Sequence, residues 1–174
     1  MSIDLLAFES GELYFDEAID QEAKHCLQRA SEEYGTETAE STLLRAYFLE
    51  PEHPMVLVAL YRFYYYQHRL KESLVVAERV LKVIGKRLDL PEDWRQLTEP
   101  GIGCGVLISM TMVRFYMLAL KGAGYLELRL GHYKSALERL QKVAELDAKD
   151  RLGAQALLEV AKNAIGNDSG LATH

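Results

Sequence analysis

The chain has 174 residues, of which 49% are hydrophobic and 26% charged, a balance typical of folded proteins and incompatible with wholesale disorder. Its 26 acidic and 20 basic side chains give a net charge of −6, which argues against nucleic acid as a partner because phosphate binding requires a basic face. The two cysteines are too few for a disulfide framework or a four-thiolate zinc site. The first residues lack a basic segment followed by an apolar one, so we expect no secretory signal and a cytoplasmic location.

The chain begins with an acidic arm over residues 1–15, which includes Asp4, Glu9 and Glu12 and has no lysine or arginine. One interpretation is that acidic residues just after the arm, such as Asp20, favour the start of a helix through its dipole. Another is that the arm occupies a binding groove or meets a basic partner. We favour the first interpretation.

Apolar residues recur at spacings of three and four after this arm, which is the pattern of amphipathic helices. All four prolines lie at the edges of the periodic segments, so none of them interrupts a helix. The sequence therefore predicts an all-α fold, with helices at about 16–33, 36–49, 54–67, 70–86, 106–130, 133–146 and 150–165.

Three of the segments share an internal repeat. A small residue begins each copy of the motif, at Ala39, Ser73 and Ala136, and an apolar residue follows four positions later. From Ala39 to Ser73 is 34 residues, and from Ser73 to Ala136 is 63, which equals one further period of 34 with an insertion of 29. A fixed period of this length is typical of helical repeat proteins.

This helix–turn–helix period with its small and apolar positions resembles the tetratricopeptide repeat. The best match runs from Gly124 through the turn at Leu130-Gly131-His132-Tyr133 to Ala136. The resemblance covers about residues 20–87 and 117–150. No unit has the tryptophan of that family, and Glu127 stands where the family has an aromatic residue.

The resemblance implies a right-handed α-solenoid in a single domain over 16–166, followed by a flexible tail at 167–174. Three helical hairpins would stack at about 20–53, 54–87 and 117–150, with the helix at 150–165 capping the last one. Within the insertion, 88–116, we expect a short capped helix at Pro91–Trp94 and a loop at Pro100–Gly105.

The last part of the insertion is almost entirely apolar and is predicted to continue into the helix at 106–130. Its first half would then extend beyond the stacked helices as an apolar overhang. We expect this overhang to bind a partner or to form a homodimer through residues 106–113. Its interface residues are Val106, Leu107, Met110 and Val113.

In the tetratricopeptide family, the first helix of each unit lines a concave groove that binds extended peptides. Transferred by register, the groove residues here are Lys24, Gln28, Arg62, Tyr65, Tyr66, Lys121, Tyr125 and Arg129. Cations with aromatic walls suit an acidic partner segment. The alternative is that some tyrosines of the run at 63–66 fill the core, as we expect of Tyr64.

The family also includes a carboxylate clamp for the C-terminal tails of heat-shock chaperones. The corresponding positions here are Lys24, Gln28, Ala59, Leu118 and Gly122. Only Lys24 has the required side chain, so the resemblance does not extend to this ligand.

The sequence offers no set of catalytic residues and no cofactor site. The glycines at 101, 103 and 105 do not have the spacing of a phosphate loop, the five histidines form no ligand motif, and Cys104 has no nearby base. The apolar stretch at 102–120 contains Arg114, which argues against a membrane helix.

The expected function is protein–protein interaction, as an adaptor that binds a protein or peptide in its groove. The alternative is a small acidic chaperone of this repeat class, dedicated to one client in secretion or assembly. A self-associating structural protein and an enzyme are less favoured.

Overall fold

The computed structural model describes residues 15–171, with side chains described up to residue 167. Within this range it consists of α-helices and one 3-10 helix, and it contains no β-strand, which confirms the predicted all-α fold. The acidic arm lies outside the described residues, except for Phe15 at its end. The elements are α1 (Gln21–Glu32), α2 (Glu37–Leu49), α3 (Pro54–Tyr66), α4 (Leu70–Arg87), the 3-10 helix Trp94–Gln96, α5 (Glu99–Ile108), α6 (Met110–Arg129), α7 (Tyr133–Leu146) and α8 (Ala154–Leu171).

The helices pack mainly against their neighbours in the chain. Three pairs joined by short turns are in contact, namely α1 with α2, α3 with α4, and α6 with α7. The second and third pairs meet where α4 packs against α6, and α8 packs against α7.

The small residues of the repeat lie where helices approach closely. Ala39, Ser73 and Ala136 are completely buried, each on the second helix of a pair. A side chain at Gly124 on α6 would place its Cβ 3.0 Å from Cγ of Leu140 on α7. Because larger residues would push the helices apart, these positions explain the small-residue pattern.

The first helix starts later than predicted, at Gln21 rather than residue 16. The carboxylate of Asp20 accepts hydrogen bonds from the backbone N–H groups of Glu22 and Ala23, at 2.8 and 3.1 Å, and so caps the helix. Residues 15–19 are not helical, and the side chain of Glu17 accepts a 2.7 Å bond from Arg87 at the end of α4.

The prediction of a single helix over 106–130 is wrong, because the helix is interrupted at Ser109. The backbone of Ser109 is extended, and its hydroxyl accepts a hydrogen bond from the N–H of Met112, which caps α6. The α5 helix then packs against the start of α6. A Cβ at Gly105 would lie 3.1 Å from Cγ2 of Val113, so this contact requires a very small residue on α5.

The rest of the insertion also differs from the prediction. The expected loop at 100–105 is helical, because the Thr98 hydroxyl accepts a 3.2 Å bond from the N–H of Gly101, and Pro100 occupies the first turn of the helix. The short helix begins at Trp94 rather than at Pro91, with Asp93 as its cap.

The last helix extends beyond the predicted range. Asp150 and Gly153 have φ angles of 48° and 67°, so the chain turns through left-handed backbone before α8 begins at Ala154. Residues 167–171, which we expected to be part of a flexible tail, belong to this helix. Residues 172–174 lie outside the described part of the chain.

Trp94 anchors the insertion to the helix pairs. Its side chain is buried, and the guanidinium groups of Arg95 and Arg139 lie 4.3 and 5.0 Å from its ring. Arg95 also donates hydrogen bonds to Glu138 on α7, the closer at 2.9 Å. The insertion is therefore bound to the surface of α7 by stacking and by charge.

Candidate functional site

Arginine and tyrosine side chains from α3 and α6 form a continuous cluster. The ring of Tyr65 lies 5.4 Å from the ring of Tyr66 and 6.4 Å from the ring of Tyr125 on α6. The guanidinium of Arg62 lies 6.0 Å from the ring of Tyr66, and that of Arg129 lies 5.7 Å from the ring of Tyr125. We call these five residues the arginine–tyrosine cluster. The structure thus brings together five of the predicted groove residues.

Helix geometry places each arginine of the cluster beside a tyrosine. Arg62 and Tyr66 are four residues apart on α3, as are Tyr125 and Arg129 on α6, so each pair shares one helix face. Nη1 of Arg129 also donates a 2.9 Å hydrogen bond to the hydroxyl of Tyr125. Each guanidinium is thus held against an aromatic ring with its charge still near the surface.

Tyr61 packs against the buried side of the cluster. It is not one of the groove residues predicted from the sequence. Its ring is buried and stacks on Tyr65, with centroids 6.2 Å apart and planes 7° from parallel. A Cβ at Gly122 would lie only 2.9 Å from the Tyr61 hydroxyl oxygen, so glycine on α6 makes room for this side chain. The spacing of four between Tyr61 and Tyr65 was the signal that could have identified it.

A recess lies between α1 and α3, next to the cluster. It has a volume of about 460 Å³ and shares Arg62 and Tyr66 with the cluster. The rings of Tyr34 and Phe63 meet edge to face there, 6.3 Å apart. The other lining residues are Leu27, Ala30, Ser31, Leu43 and Ala59. We call this cavity the α1–α3 recess; apart from Arg62, its lining is mostly apolar.

The predicted groove residues of α1 lie on the exposed surface of that helix. Lys24 and Gln28 are both exposed, and Gln28 donates a 3.2 Å hydrogen bond to the carboxylate of Glu32. Leu27, adjacent to Gln28 in the chain, lines the recess. The two polar residues therefore lie near the recess, but they are not part of the arginine–tyrosine cluster.

The two arginines of the cluster, unlike most arginines of the protein, form no ion pair with a carboxylate of the described residues. Arg45, Arg69 and Arg87 each form an ion pair with a carboxylate. Arg62 and Arg129 form none with any acidic side chain in the described part of the chain. Their positive charges are therefore available to a ligand.

A nearby carboxylate is already occupied by another cation. Arg29 donates a 3.1 Å hydrogen bond to Glu33, and this bond is the largest cause of a lowered pKa at Glu33. Glu33 also accepts a hydrogen bond from Thr42. The acidic end of α1 is thus bound within its own hairpin rather than to Arg62.

Lys121 does not belong to the surface, contrary to the groove prediction. Its side chain is only 7% exposed, and Nζ donates a 2.5 Å hydrogen bond to the carbonyl oxygen of Leu152 in the turn before α8. Burial lowers its pKa, and the carboxylates of Asp150 and Asp147 oppose that change. Lys121 therefore joins α6 to the α7–α8 turn.

The predicted apolar overhang is divided between surface and interior. Leu107 and Met110 are 87% and 67% exposed, and Ile108 is also exposed. Val113 is buried, and Val106 is half-buried against the core, because α5 packs back onto α6. The exposed surface, which we call the α5–α6 corner, consists of Leu107, Ile108 and Met110.

The described residues contain neither a cluster of metal ligands nor a membrane-spanning helix. Among the described residues, no three or more histidine, cysteine, aspartate or glutamate side chains come together as metal ligands. Between residues 15 and 171, no helix is long and apolar enough to cross a membrane.

A relative of known sequence covers nearly the whole chain. It is a 19.8 kDa protein of Azotobacter chroococcum mcd 1, described as uncharacterized and located in the nifW 5′ region. The two sequences are 46% identical over 158 residues, which span 91% of this chain and 88% of the relative. No protein-family model matches the chain. No solved structure matches it either.

Proposed function

The chain belongs to the same family as the Azotobacter chroococcum protein, and we propose that it is a tetratricopeptide-like adaptor that binds an acidic segment of another protein. In this proposal the three helix pairs form a right-handed solenoid, and the binding groove runs along α1, α3 and α6. The protein has no catalytic role and needs no cofactor.

The observation that carries the proposal is a pair of guanidinium groups that form no ion pair with any carboxylate in the described part of the chain. Arg62 and Arg129 lie against tyrosine rings near the surface of a protein with a net charge of −6. Arginine and tyrosine are the residues most often found at the energetic centre of protein interfaces. A carboxylate from the partner would supply the missing charge through hydrogen bonds to either guanidinium.

The α1–α3 recess adds a place for an apolar side chain of the partner. Its volume of about 460 Å³ lies within the range of ligand pockets. Because the recess shares Arg62 with the cluster, one partner segment could place an apolar side chain in the recess and a neighbouring carboxylate on Arg62.

The test uses the full chain as bait in extracts of the organism that encodes it. Changing both Arg62 and Arg129 to glutamate should remove the partner, while the melting temperature falls by no more than a few degrees. Lys71→Glu with Lys134→Glu is the matched control, since both lysines are exposed, near helix starts, and the change in net charge is equal. Recovery of the same proteins with all three baits would reject the groove.

A second candidate function is that of a chaperone for one dedicated client, and the α5–α6 corner favours it. Three exposed apolar side chains on adjoining helix ends suit the apolar surface of an unassembled protein. Here the Leu107→Asp variant should lose the client and leave it insoluble on co-expression. An adaptor of the first kind would keep its partner after this substitution.

A further inference from the structure

Another exposed apolar surface lies on α2 and α4, away from the residues of the proposed groove. Phe48 on α2 is 84% exposed, and Val75 on α4 is 68% exposed. Leu44 is also exposed and lies one helical turn before Phe48, so the two share a face of α2. Exposed apolar side chains in such proximity indicate a surface that is covered in the working protein.

A groove lies between α2 and α4, and its lining includes Leu44, one helical turn before Phe48. Its volume is about 220 Å³, and buried Leu57 and Leu60 of α3 contribute to its lining. The other lining residues are Tyr47, Tyr64, Glu72, Val75, Val76 and Arg79. An apolar cavity of about 150 Å³ is large enough to bind benzene. The α2–α4 groove therefore has room for a phenyl ring.

The charged residues at the groove are already paired within the chain. Glu72 accepts a 2.9 Å bond from Arg69, and Arg79 lies 3.3 Å from a carboxylate oxygen of Glu52. The groove thus offers its occupant apolar contacts and no uncompensated charge. This distinguishes it from the arginine–tyrosine cluster, where neither guanidinium is paired with a carboxylate of the described residues.

We propose that this surface binds a second copy of the chain, with Phe48 of each copy inserted into the α2–α4 groove of the other. A twofold interface uses the same patch on both subunits, so the patch must be complementary to itself. The surface meets this condition. The exposed ring of Phe48 follows Leu44, a lining residue of the groove, by one helical turn, and the groove is large enough for such a ring. Internal pairing of the groove charges also limits repulsion between two acidic chains.

Sedimentation velocity of the full chain over a range of concentrations tests the proposal. The wild type should shift from monomer to dimer as its concentration rises. Phe48→Lys and Val75→Asp should each weaken dimerisation roughly 30-fold or more, as expected when a central anchor is lost. Both side chains are mostly exposed, so circular dichroism melting curves recorded at a concentration where the wild type is monomeric should match that of the wild type. A wild type that stays monomeric at every concentration would overturn the proposal.

Mixing the two variants gives a sharper test. In the mixed dimer, Phe48 of the Val75→Asp chain meets an intact groove, and the new lysine of the other chain faces the new aspartate. At a concentration where neither variant forms dimers alone, dimers should therefore return on mixing. The failure of mixing to restore dimers would contradict reciprocal insertion.

Leu107→Asp is the matched control, because Leu107 is an equally exposed apolar residue on the α5–α6 corner. This variant should dimerise like the wild type. Loss of the dimer in Leu107→Asp, with retention in Phe48→Lys, would instead place the self-association surface at residues 106–113 and reject the α2–α4 groove.

Discussion

The carboxylate of Glu127 on α6 accepts a 3.0 Å hydrogen bond from Nε of Arg139 on α7, and both side chains are buried. The other carboxylate oxygen accepts a 2.7 Å bond from the hydroxyl of Ser135. Arg139 also pairs with Glu78 on α4. The residue that departs from the repeat pattern thus belongs to an ionic network, centred on buried Arg139, that joins three helices.

Removal of one partner from this network should be strongly destabilising. Glu127→Leu leaves the buried guanidinium of Arg139 with Glu78, which is partly exposed, as its remaining counterion, and we expect a loss of about 3 kcal/mol in the free energy of unfolding. The double variant Glu127→Leu with Arg139→Met should lose less than the single variant, because the charge then left unpaired is that of Glu78, whose side chain is 46% exposed. Urea unfolding of these two variants and of Arg139→Met measures the difference.

The exposed ion pair between Glu159 and Lys162 on α8 is the control for this comparison. Removal of Glu159 should change the free energy of unfolding by less than about 0.5 kcal/mol, as for most surface substitutions. If the double variant in the network proves as unstable as the sum of its single variants, the ionic pairing is not the source of the effect.

Two glycines allow a test of helix packing. In Gly124→Leu, the new side chain would meet Leu140 and Cβ of Arg139, both within 3.3 Å of the new Cβ. We expect overpacking to cost roughly 1–3 kcal/mol or more. Gly103→Ala on α5 is the matched control, since nothing lies within 4 Å of the position that a Cβ would occupy there and alanine favours the helix by about 0.5–1 kcal/mol. Equal effects in thermal unfolding would contradict the close approach of α6 and α7.

The buried position of Lys121 predicts a dependence of stability on pH. Burial lowers its pKa in the folded state below the ordinary 10.5. Between the lowered pKa and 10.5 the unfolded chain holds the proton more tightly, so the contribution of Lys121 to stability rises with pH in that window. Urea unfolding of wild type and Lys121→Met from neutral pH to pH 10.5 should show the wild type gaining relative to the variant. A constant difference would indicate that Lys121 stays solvated.

Local features of the sequence predicted most of the helices, and the register transferred from the tetratricopeptide repeat selected the five residues of the cluster. Helical periodicity located α2, α3, α4 and α7 to within a residue, because each has an apolar stripe between clear turns. The pairing of Arg62 with Tyr66 also follows from a spacing of four on a single helix. Such relationships need no knowledge of the neighbouring elements.

Two of the errors occurred where contacts between different elements decide the structure. The break at Ser109 accompanies the contact of Gly105 with Val113, which places α5 against α6. The burial of Lys121 depends on the turn at Leu152, which lies 31 residues further along the chain. The position of Lys121 in the repeat is the same as that of exposed cations. The repeat register carries no information about the turn before α8, which buries this side chain.

The aromatic setting of Arg62 leads to a final prediction, on the chemistry of partner binding. Lysine at this position keeps the positive charge but loses the planar guanidinium that stacks on Tyr66 and can hold a carboxylate with two hydrogen bonds. If binding depends on this geometry, Arg62→Lys should weaken affinity for the recovered partner several-fold, as measured by isothermal titration calorimetry. Lys71→Arg, on the exposed surface of α4, should leave the affinity unchanged. Wild-type affinity in Arg62→Lys would mean that only the net charge of the groove attracts the partner, and the loss on Arg62→Glu would then reflect repulsion alone.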